Sequence, residues 1–233
     1  MTAHPRSSTT LTTAATVLPL SLGEIKDYLG ISDSDESEDP NLMSALRAAT
    51  ISVERYTRRT LLTTTWTLWM DRFPGKALPW WDGVKQGADT ELTDLTEAII
   101  VPKSPLISIT SITAYHQDGT TTVASASNYI IDLASEPARV ALKVGETWPT
   151  DALRSINGVG VVFVAGYGPV GSDVPEDIRR ALLVIIGDFH ENREASPAKF
   201  EKVGESSISR FEASVSIPPT AQNLLSTYKL WKM

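Results

Sequence analysis

The sequence predicts an α+β protein in which a mostly antiparallel β domain is inserted between helices from both ends of the chain. Two observations lead to this fold class. Apolar residues recur at helical spacing in residues 21–59 and again in residues 174–194. Between them the spacing changes to the alternation typical of short strands. The predicted parts are a flexible arm (1–17), a helical core (18–60 and 172–195), the inserted β domain (61–171), and an extended C-terminal segment with a short terminal helix (196–233).

The composition narrows the possible function classes. The net charge of −7 opposes a surface that grips nucleic acid, because such surfaces cluster Lys and Arg. The chain has no cysteine, which excludes disulfides, cysteine zinc ligands and thiol nucleophiles. No apolar run reaches about 18 residues, so we expect no membrane span.

The first helix begins after a polar, Thr-rich arm that we expect to be flexible or extended, with an arm that becomes ordered on a partner as the alternative. Ser21 and Glu24 have the spacing of a capping box, and Gly30 is suited to end the helix. The acidic loop 32–39 lacks the glycine and glutamate that a calcium loop requires, which favours a solvated loop.

The second helix is predicted to have Asp39 as its N-cap and Pro40 as its first residue, and to run to about Arg59. The positively charged arginines near its C-terminal end interact favourably with the negative end of the helix dipole. Its apolar face consists of Leu42, Ala45, Leu46, Ala49, Val53 and Tyr56.

The middle of the chain predicts about six short strands that form a small sandwich or open barrel. An Asp118-Gly119 turn indicates a hairpin. Residues 76–97 interrupt the strands, and Trp80 and Trp81 in this excursion are a possible loop contact. The predicted strands cover residues 65–70, 98–101, 106–115, 129–133, 139–144 and 159–165.

The long helix at 174–194 is apolar on more than one side, which is typical of a helix packed on two flanks. One stripe contains Ile178, Ala181, Leu182, Ile185, Ile186 and Phe189, and Leu183 with Val184 extend it to a second side. We hypothesise that a neighbouring copy of the chain covers the second flank. The candidate interface residues are Ile178, Leu182, Leu183, Val184 and Ile186.

The C-terminal region is less regular. Residues 195–209 are polar and poorly patterned, and residues 211–217 are compatible with an extended strand. Pro218 and Pro219 then introduce a short final helix. Its apolar residues fit two alternatives, docking on the chain's own helices or docking on another subunit. They are Leu224, Leu225, Tyr228, Leu230 and Trp231.

No chemical motif predicts catalysis or a bound cofactor or metal. Gly166, Gly168 and Gly171 match G-x-G-x-x-G, but the next helix starts only after the last glycine, which favours a strand-to-helix turn over a dinucleotide site. None of the three histidines has an acidic or histidine partner at metal-ligand spacing.

The order of segments carries a resemblance. LPLSLGEIKDYLGI leads through an acidic gap to LMSALRAATISVERYTRRTL and TTTWTLWMDRFPG. The VPKSPLISITSITAYHQDGT hairpin, NYIIDLASEPARVAL and VVFVAGYG follow, then VPEDIRRALLVIIGDFHENRE and IPPTAQNLLSTY. This order resembles the head–tail connector (adaptor) proteins of long-tailed bacteriophages and gene transfer agents, in the larger form with a β insertion in a helical connector core.

The resemblance implies a structural, non-enzymatic protein of the virion neck, made in the host cell cytoplasm. It implies a ring, usually of twelve copies, that attaches below the portal, extends the DNA channel and offers a platform for the stopper or tail. DNA would pass through without sequence-specific binding, and the C-terminal segment would reach the portal. Two alternatives remain open: a virion β module that binds carbohydrate through Trp80, Trp81 and Trp148, and an enzyme that uses His116 or His190.

Overall fold

The computed structural model describes residues 7–74, 98–149, 151–192, 200–203, 206–209 and 217–230. The chain folds into two compact units. A β unit combines Met1–Thr16 with Leu62–Pro169, and a helical unit combines Val17–Leu61 with Val170–Met233. The predicted α+β class with an inserted β region is confirmed.

The β unit contains two antiparallel sheets. The larger has the strand order β1-β2-β8-β4-β5, and the smaller has the order β3-β7-β6. Gly119, with a φ of +85°, forms the predicted turn between β4 and β5. The strands are β1 Ser7–Thr13, β2 Thr64–Met70, β3 Ile99–Ile100, β4 Leu106–Tyr115, β5 Thr121–Val123, β6 Tyr129–Asp132, β7 Arg139–Leu142 and β8 Val159–Ala165.

The arm, predicted to be flexible or extended, contains an extended strand over Ser7–Thr13, so the prediction of a flexible arm is wrong at these residues. This strand, β1, pairs antiparallel with β2, from Ser7 opposite Met70 to Thr13 opposite Thr65. Thr10 and Thr12 hold it further, because the Thr12 hydroxyl lies 2.8 Å from the Thr67 hydroxyl and Trp69 donates to Thr10 at 3.2 Å. Threonine favours strands, but an exposed edge strand needs no apolar alternation, so the sequence gives no periodic signal.

Both sheets contribute to one hydrophobic core, with Phe163 completely buried. Trp148 lies in this core and stacks on Phe73 with their ring centroids 4.8 Å apart, next to Tyr129 at 6.2 Å. Trp148 therefore has little surface for a carbohydrate, and the alternative that used it as an exposed contact is wrong at this residue.

The helical unit contains four α-helices within the described residues: α1 Leu22–Leu29, α2 Asp39–Thr57, α3 Glu176–Glu191 and α4 Pro219–Leu225. Short 3-10 turns lie at Gly171–Asp173 and Ser226–Tyr228. Both α2 and α4 pack on α3. Strands β9 Phe200–Val203 and β10 Ser206–Ser209 form a hairpin where the sequence predicts no regular structure. Residues 211–216, predicted as extended, lie outside the described residues.

The helix ends agree with the sequence at α1 and differ at α2. The Ser21 hydroxyl accepts from the Glu24 backbone, and Gly30 ends α1 with a φ of +70°. At α2, Asp39 is the first helical residue and not the N-cap, because its carboxylate pairs with Lys26 Nζ at 2.7 Å. The helix ends at Thr57, two residues before Arg59, with Arg58 in the left-handed region at a φ of +61°.

The glycine-rich segment after β8 has a packing explanation. A Cβ on Gly166 would lie 2.4 Å from the carbonyl carbon and oxygen of Leu62, and its φ is +138°. A Cβ on Gly171 would lie 2.6 Å from the Pro19 oxygen. These glycines allow close backbone approaches, which supports the prediction of a turn over that of a dinucleotide site.

Candidate assembly surfaces

The long helix α3 presents one side to its own chain and another side to solvent. Ile178, Leu182 and Ile186 are completely buried by the chain itself. The hypothesis that these three residues contact a neighbouring subunit does not fit this burial, because they expose no surface. A core stripe and an interface stripe have the same helical spacing, so the sequence could not separate them.

The second side of α3 remains available. Leu183 and Val184 are partly exposed, and Phe189 is 38% exposed. Among the five candidate interface residues, all of which the structure describes, only Leu183 and Val184 have side chains that are not buried. Phe189 continues the predicted apolar stripe at helical spacing, but it is partly exposed near the end of the helix.

A groove of about 630 Å³ lies beside Val184. Apolar surface from Leu29, Val184 and Pro218 is combined with polar groups of Asp188 and His190. A groove that combines apolar surface with several polar groups can accept a side chain from another protein. The complete lining is Tyr28, Leu29, Val184, Gly187, Asp188, His190, Glu191 and Pro218.

Helix α1 is held against α3 at this groove. A Cβ on Gly187 would lie 3.2 Å from the Tyr28 ring, so the glycine permits the close approach of Tyr28. The Arg180 guanidinium lies over the same ring, 4.8 Å from its centroid. Tyr28, which lines the groove, is therefore held in place by contacts with Gly187 and Arg180 of α3.

Arg179 of α3 joins this helix to α1 through Glu24 and also pairs with Glu176 on its own helix. Burial raises the pKa of Glu24, but hydrogen bonds from the Ser21 backbone and hydroxyl, together with Arg179, outweigh it. The pKa of Glu24 therefore lies below its ordinary value. Glu24 serves both as the capping-box partner and as an ion-pair partner between helices.

The C-terminal segment docks on the chain's own helices. In α4, Ala221 and Leu225 are completely buried. The Arg59 Nε donates to the Tyr228 carbonyl at 2.7 Å, and the Leu230 amide donates to the Thr57 carbonyl at 3.0 Å. The sequence left open whether this segment docks on the chain's own helices or on another subunit, and in the structure it docks on the chain's own helices. Leu225 is completely buried there, which does not fit its predicted role as a portal contact.

Part of this segment still faces outward. Leu224, Tyr228 and Leu230 are partly exposed, and Trp231 lies outside the described residues. The Tyr228 hydroxyl donates to the Asp177 carboxylate at 3.4 Å. Burial is the larger cause that raises the pKa of Tyr228, and the negative charge of Asp177 raises it further. Sequence reasoning assigned Arg59 to the helix dipole and missed its bond to Tyr228, since no local pattern connects residues so far apart.

The sequence also offered His116 and the Trp80-Trp81 pair as candidates. His116 is buried, with its Nε2 2.8 Å from the Thr122 hydroxyl, which ties the hairpin together. No group of three metal-ligating side chains occurs within the part of the chain that the structure describes. In the same part, no helix is long and apolar enough to cross a bilayer. Trp80 and Trp81 lie outside the described residues.

Comparison with solved structures relates the fold to proteins of particle necks. The chain matches the structure described as the neck of an empty gene transfer agent (GTA) particle computed with C6 symmetry, with a TM-score of 0.64 and 19% identity over 97% of both chains. It matches the virion of a native GTA particle with a TM-score of 0.64 and 19% identity, covering 97% of this chain and 96% of that one. A neck of a native GTA particle computed with C12 symmetry gives a TM-score of 0.61 and 20% identity over 97% of both chains.

Comparison by sequence finds no matching family model and no matching curated protein. The solved structures therefore show the fold that this chain shares, over nearly its whole length, with chains of GTA particles.

Proposed function

We propose that this protein is a structural component of a virion neck, a ring-forming head–tail adaptor of a tailed bacteriophage or gene transfer agent. The observation that carries this proposal is the fold, which matches neck chains over 97% of both lengths, including both the helical regions and the inserted β region. The sequence resemblance, which rests on the order of segments, supports the same function independently of the coordinates.

In this proposal the ring contains twelve copies and lies below the portal. Neck structures computed with C6 and C12 symmetry support a ring whose order is compatible with twelve. The ring extends the DNA channel, and the net charge of −7 favours passage of DNA without adhesion. It also provides a platform for the stopper or tail protein.

The surfaces of the helical unit have separate roles in the proposal. The exposed side of α3 around Leu183 and Val184 contacts a neighbouring copy. The outer side of the C-terminal segment contacts the portal, with Leu224, Tyr228 and Leu230 partly exposed there. Trp231, the next residue in the chain, belongs to the same proposed contact. Trp80 and Trp81 remain a proposed loop contact.

Binding to the portal ring of the same virion tests this function. The purified chain is mixed with portal rings and the complex is resolved by electron microscopy. We expect a ring of this protein on one face of the portal, and loss of binding when residues 226–233 are deleted but not when Ile156, exposed in the β unit, is replaced by Asp. A chain that neither assembles nor binds the portal would overturn the proposal.

A further inference from the structure

The five-stranded sheet of the β unit has two open edges within the described residues. β1 forms one edge and pairs only with β2. At the other edge, β5 covers β4 from Thr113 to Tyr115, and the Ala124 amide extends this cover to Ile112. The first half of β4, from Leu106 to Ser111, has no described strand on its outer side.

Both open edges lack two of the features that usually prevent strand addition, charged side chains and proline, although each contains a bulge-type register shift, at Leu11/Thr13 in β1 and at Leu106/Ser108 and Ile109/Ser111 in β4. Natural edge strands are guarded by charged side chains or proline. β1 reads SSTTLTT, and the open half of β4 reads LISITS, without a charge or proline in either. The two edges also have similar lengths, seven residues for β1 and six positions from Leu106 to Ser111. Between these register shifts, neither edge has a charge or proline that would oppose pairing with another strand.

A row of apolar residues crosses the sheet and ends at these two edges. Leu11 on β1 is opposite Trp66 on β2, Trp66 is opposite Phe163 on β8, and Phe163 is opposite Ile109 on β4. Residues opposite one another project from the same face of a sheet. Phe163 in the middle is completely buried, whereas Leu11 at the end of the row is 50% exposed. The row is covered at its centre and open at its β1 end.

The strand directions suit a head-to-tail connection. Three antiparallel pairings separate β1 from β4, so the two strands run in opposite directions. If the sheet of a second copy continues that of the first, its β1 lies antiparallel to β4, which is the more stable pairing per residue. The same placement puts Leu11 beside the end of the apolar row, near Ile109.

We propose that β1 of one copy adds to the open half of β4 in the next copy, so that neighbouring β units share a continuous sheet. Each copy then offers one edge and accepts the other, which is a heterologous contact, the kind that forms a ring when its rotation closes. The inference rests on the proposed ring and identifies a contact surface for it in the β unit.

Disulfide trapping tests the strand addition directly, because the natural chain has no cysteine. Double variants place one cysteine at Thr9 or Thr10 and the other at Thr110 or Ser111, positions that lie opposite one another when Leu11 is beside Ile109. After mild oxidation of the assembled protein, we expect at least one pair to give a ladder of covalent multimers on a denaturing gel, since only close strands bring two Cβ atoms within bonding distance. The matched control combines Thr9→Cys with Ile130→Cys, on an edge of the smaller sheet, and should give no ladder.

The single variants separate the possible geometries. Dimers from Thr9→Cys or Thr10→Cys alone would show that two β1 edges meet each other, which would overturn the head-to-tail contact. An assembled oligomer in which no pair forms a ladder would also overturn it, while leaving the ring intact. A chain that stays monomeric alone and with its portal would overturn the ring itself.

A substitution provides a second readout. Leu11→Lys places a charge at the open end of the row, where strand addition would bury it. We expect the dissociation constant of the oligomer, measured by sedimentation, to rise by roughly tenfold or more. Ile130→Lys, at a residue 56% exposed on the other sheet, is the control and should leave the constant unchanged. Equal behaviour of the two variants would contradict the proposal.

Discussion

At the scale of single residues, two glycines of this chain have opposite structural roles. Gly166 adopts a φ of +138° and lies against the Leu62 backbone, which leaves no room for a side chain. Gly23 lies in α1 with nothing within 4 Å of the position of a Cβ. The first is required by a close backbone approach, whereas the second only adds conformational entropy to the unfolded chain.

Alanine at these two positions should therefore change stability in opposite directions. We expect Gly166→Ala to lower the free energy of unfolding by about 1–3 kcal/mol or more, because of backbone strain and the clash with Leu62. Gly23→Ala should raise it by about 0.5–1 kcal/mol. Urea unfolding followed by circular dichroism measures both, and a stable Gly166→Ala protein would contradict the described backbone contact.

Arg59 is a residue whose role depends on a distant part of the chain. We expect Arg59→Ala to lower the free energy of unfolding by about 1–3 kcal/mol, because the Tyr228 carbonyl loses its donor in a partly buried site. Protease cleavage near residue 228 should become faster, since the C-terminal segment loses one attachment. Arg47→Ala, at an exposed position of α2, is the control and should change neither measurement.

At the scale of elements, the sequence predicts those with a strong periodic or capping signal. Helix α1 has the predicted capping box at Ser21, and β4 extends over the predicted residues Leu106–Tyr115. β1 escaped prediction because a Thr-rich edge strand has no buried face. The docking of α4 could not be decided, since Leu225 would have the same helical spacing against its own chain or against a partner.

The capping box of α1 also makes stability depend on pH. The pKa of Glu24 is lower in the folded than in the unfolded protein, so its contribution to stability is present above the unfolded pKa and is lost as pH falls through the folded pKa. We expect Glu24→Gln to reduce the loss of stability on acidification below about pH 5, near the ordinary pKa of a glutamate.

Thermal unfolding of both proteins between about pH 3 and 7 measures this effect. Glu36→Gln, in the exposed acidic loop, provides a comparison at another carboxylate of the same unit. If wild type and Glu24→Gln lose stability in parallel as the pH falls, the ionised capping box does not contribute to the acid sensitivity.

At the scale of the whole molecule, a substitution on the partly exposed side of α3 can distinguish an effect on assembly from an effect on folding. We expect Val184→Asp to give a folded monomer, because Val184 is partly exposed in the chain and a charge there would oppose burial by a neighbouring copy. Sedimentation measures the oligomer and near-ultraviolet circular dichroism checks the fold. The matched control is Ile156→Asp, at a residue 72% exposed in the β unit, which should still assemble.

Loss of the fold in Val184→Asp would assign Val184 to the ordinary core of the helical unit. Normal assembly of a folded Val184→Asp protein would instead remove this side of α3 from the proposed ring contact. Sequence alone could not choose between these roles, since Ile178, Leu182 and Val184 are all apolar and only their burial distinguishes them.

The hydrogen bonds from Arg59 to Tyr228 and from Leu230 to Thr57 cannot form until the end of the chain has been synthesised. All strands of the two large sheets have left the ribosome's catalytic centre once residue 169 is made, whereas α2 must wait for Leu230 to donate to Thr57. At about 5–20 residues per second, the roughly 60 intervening residues take about 3–12 s. At the start of this interval the β unit has been synthesised while the helical unit still lacks α3, and it lacks α4 until residue 225 has been made.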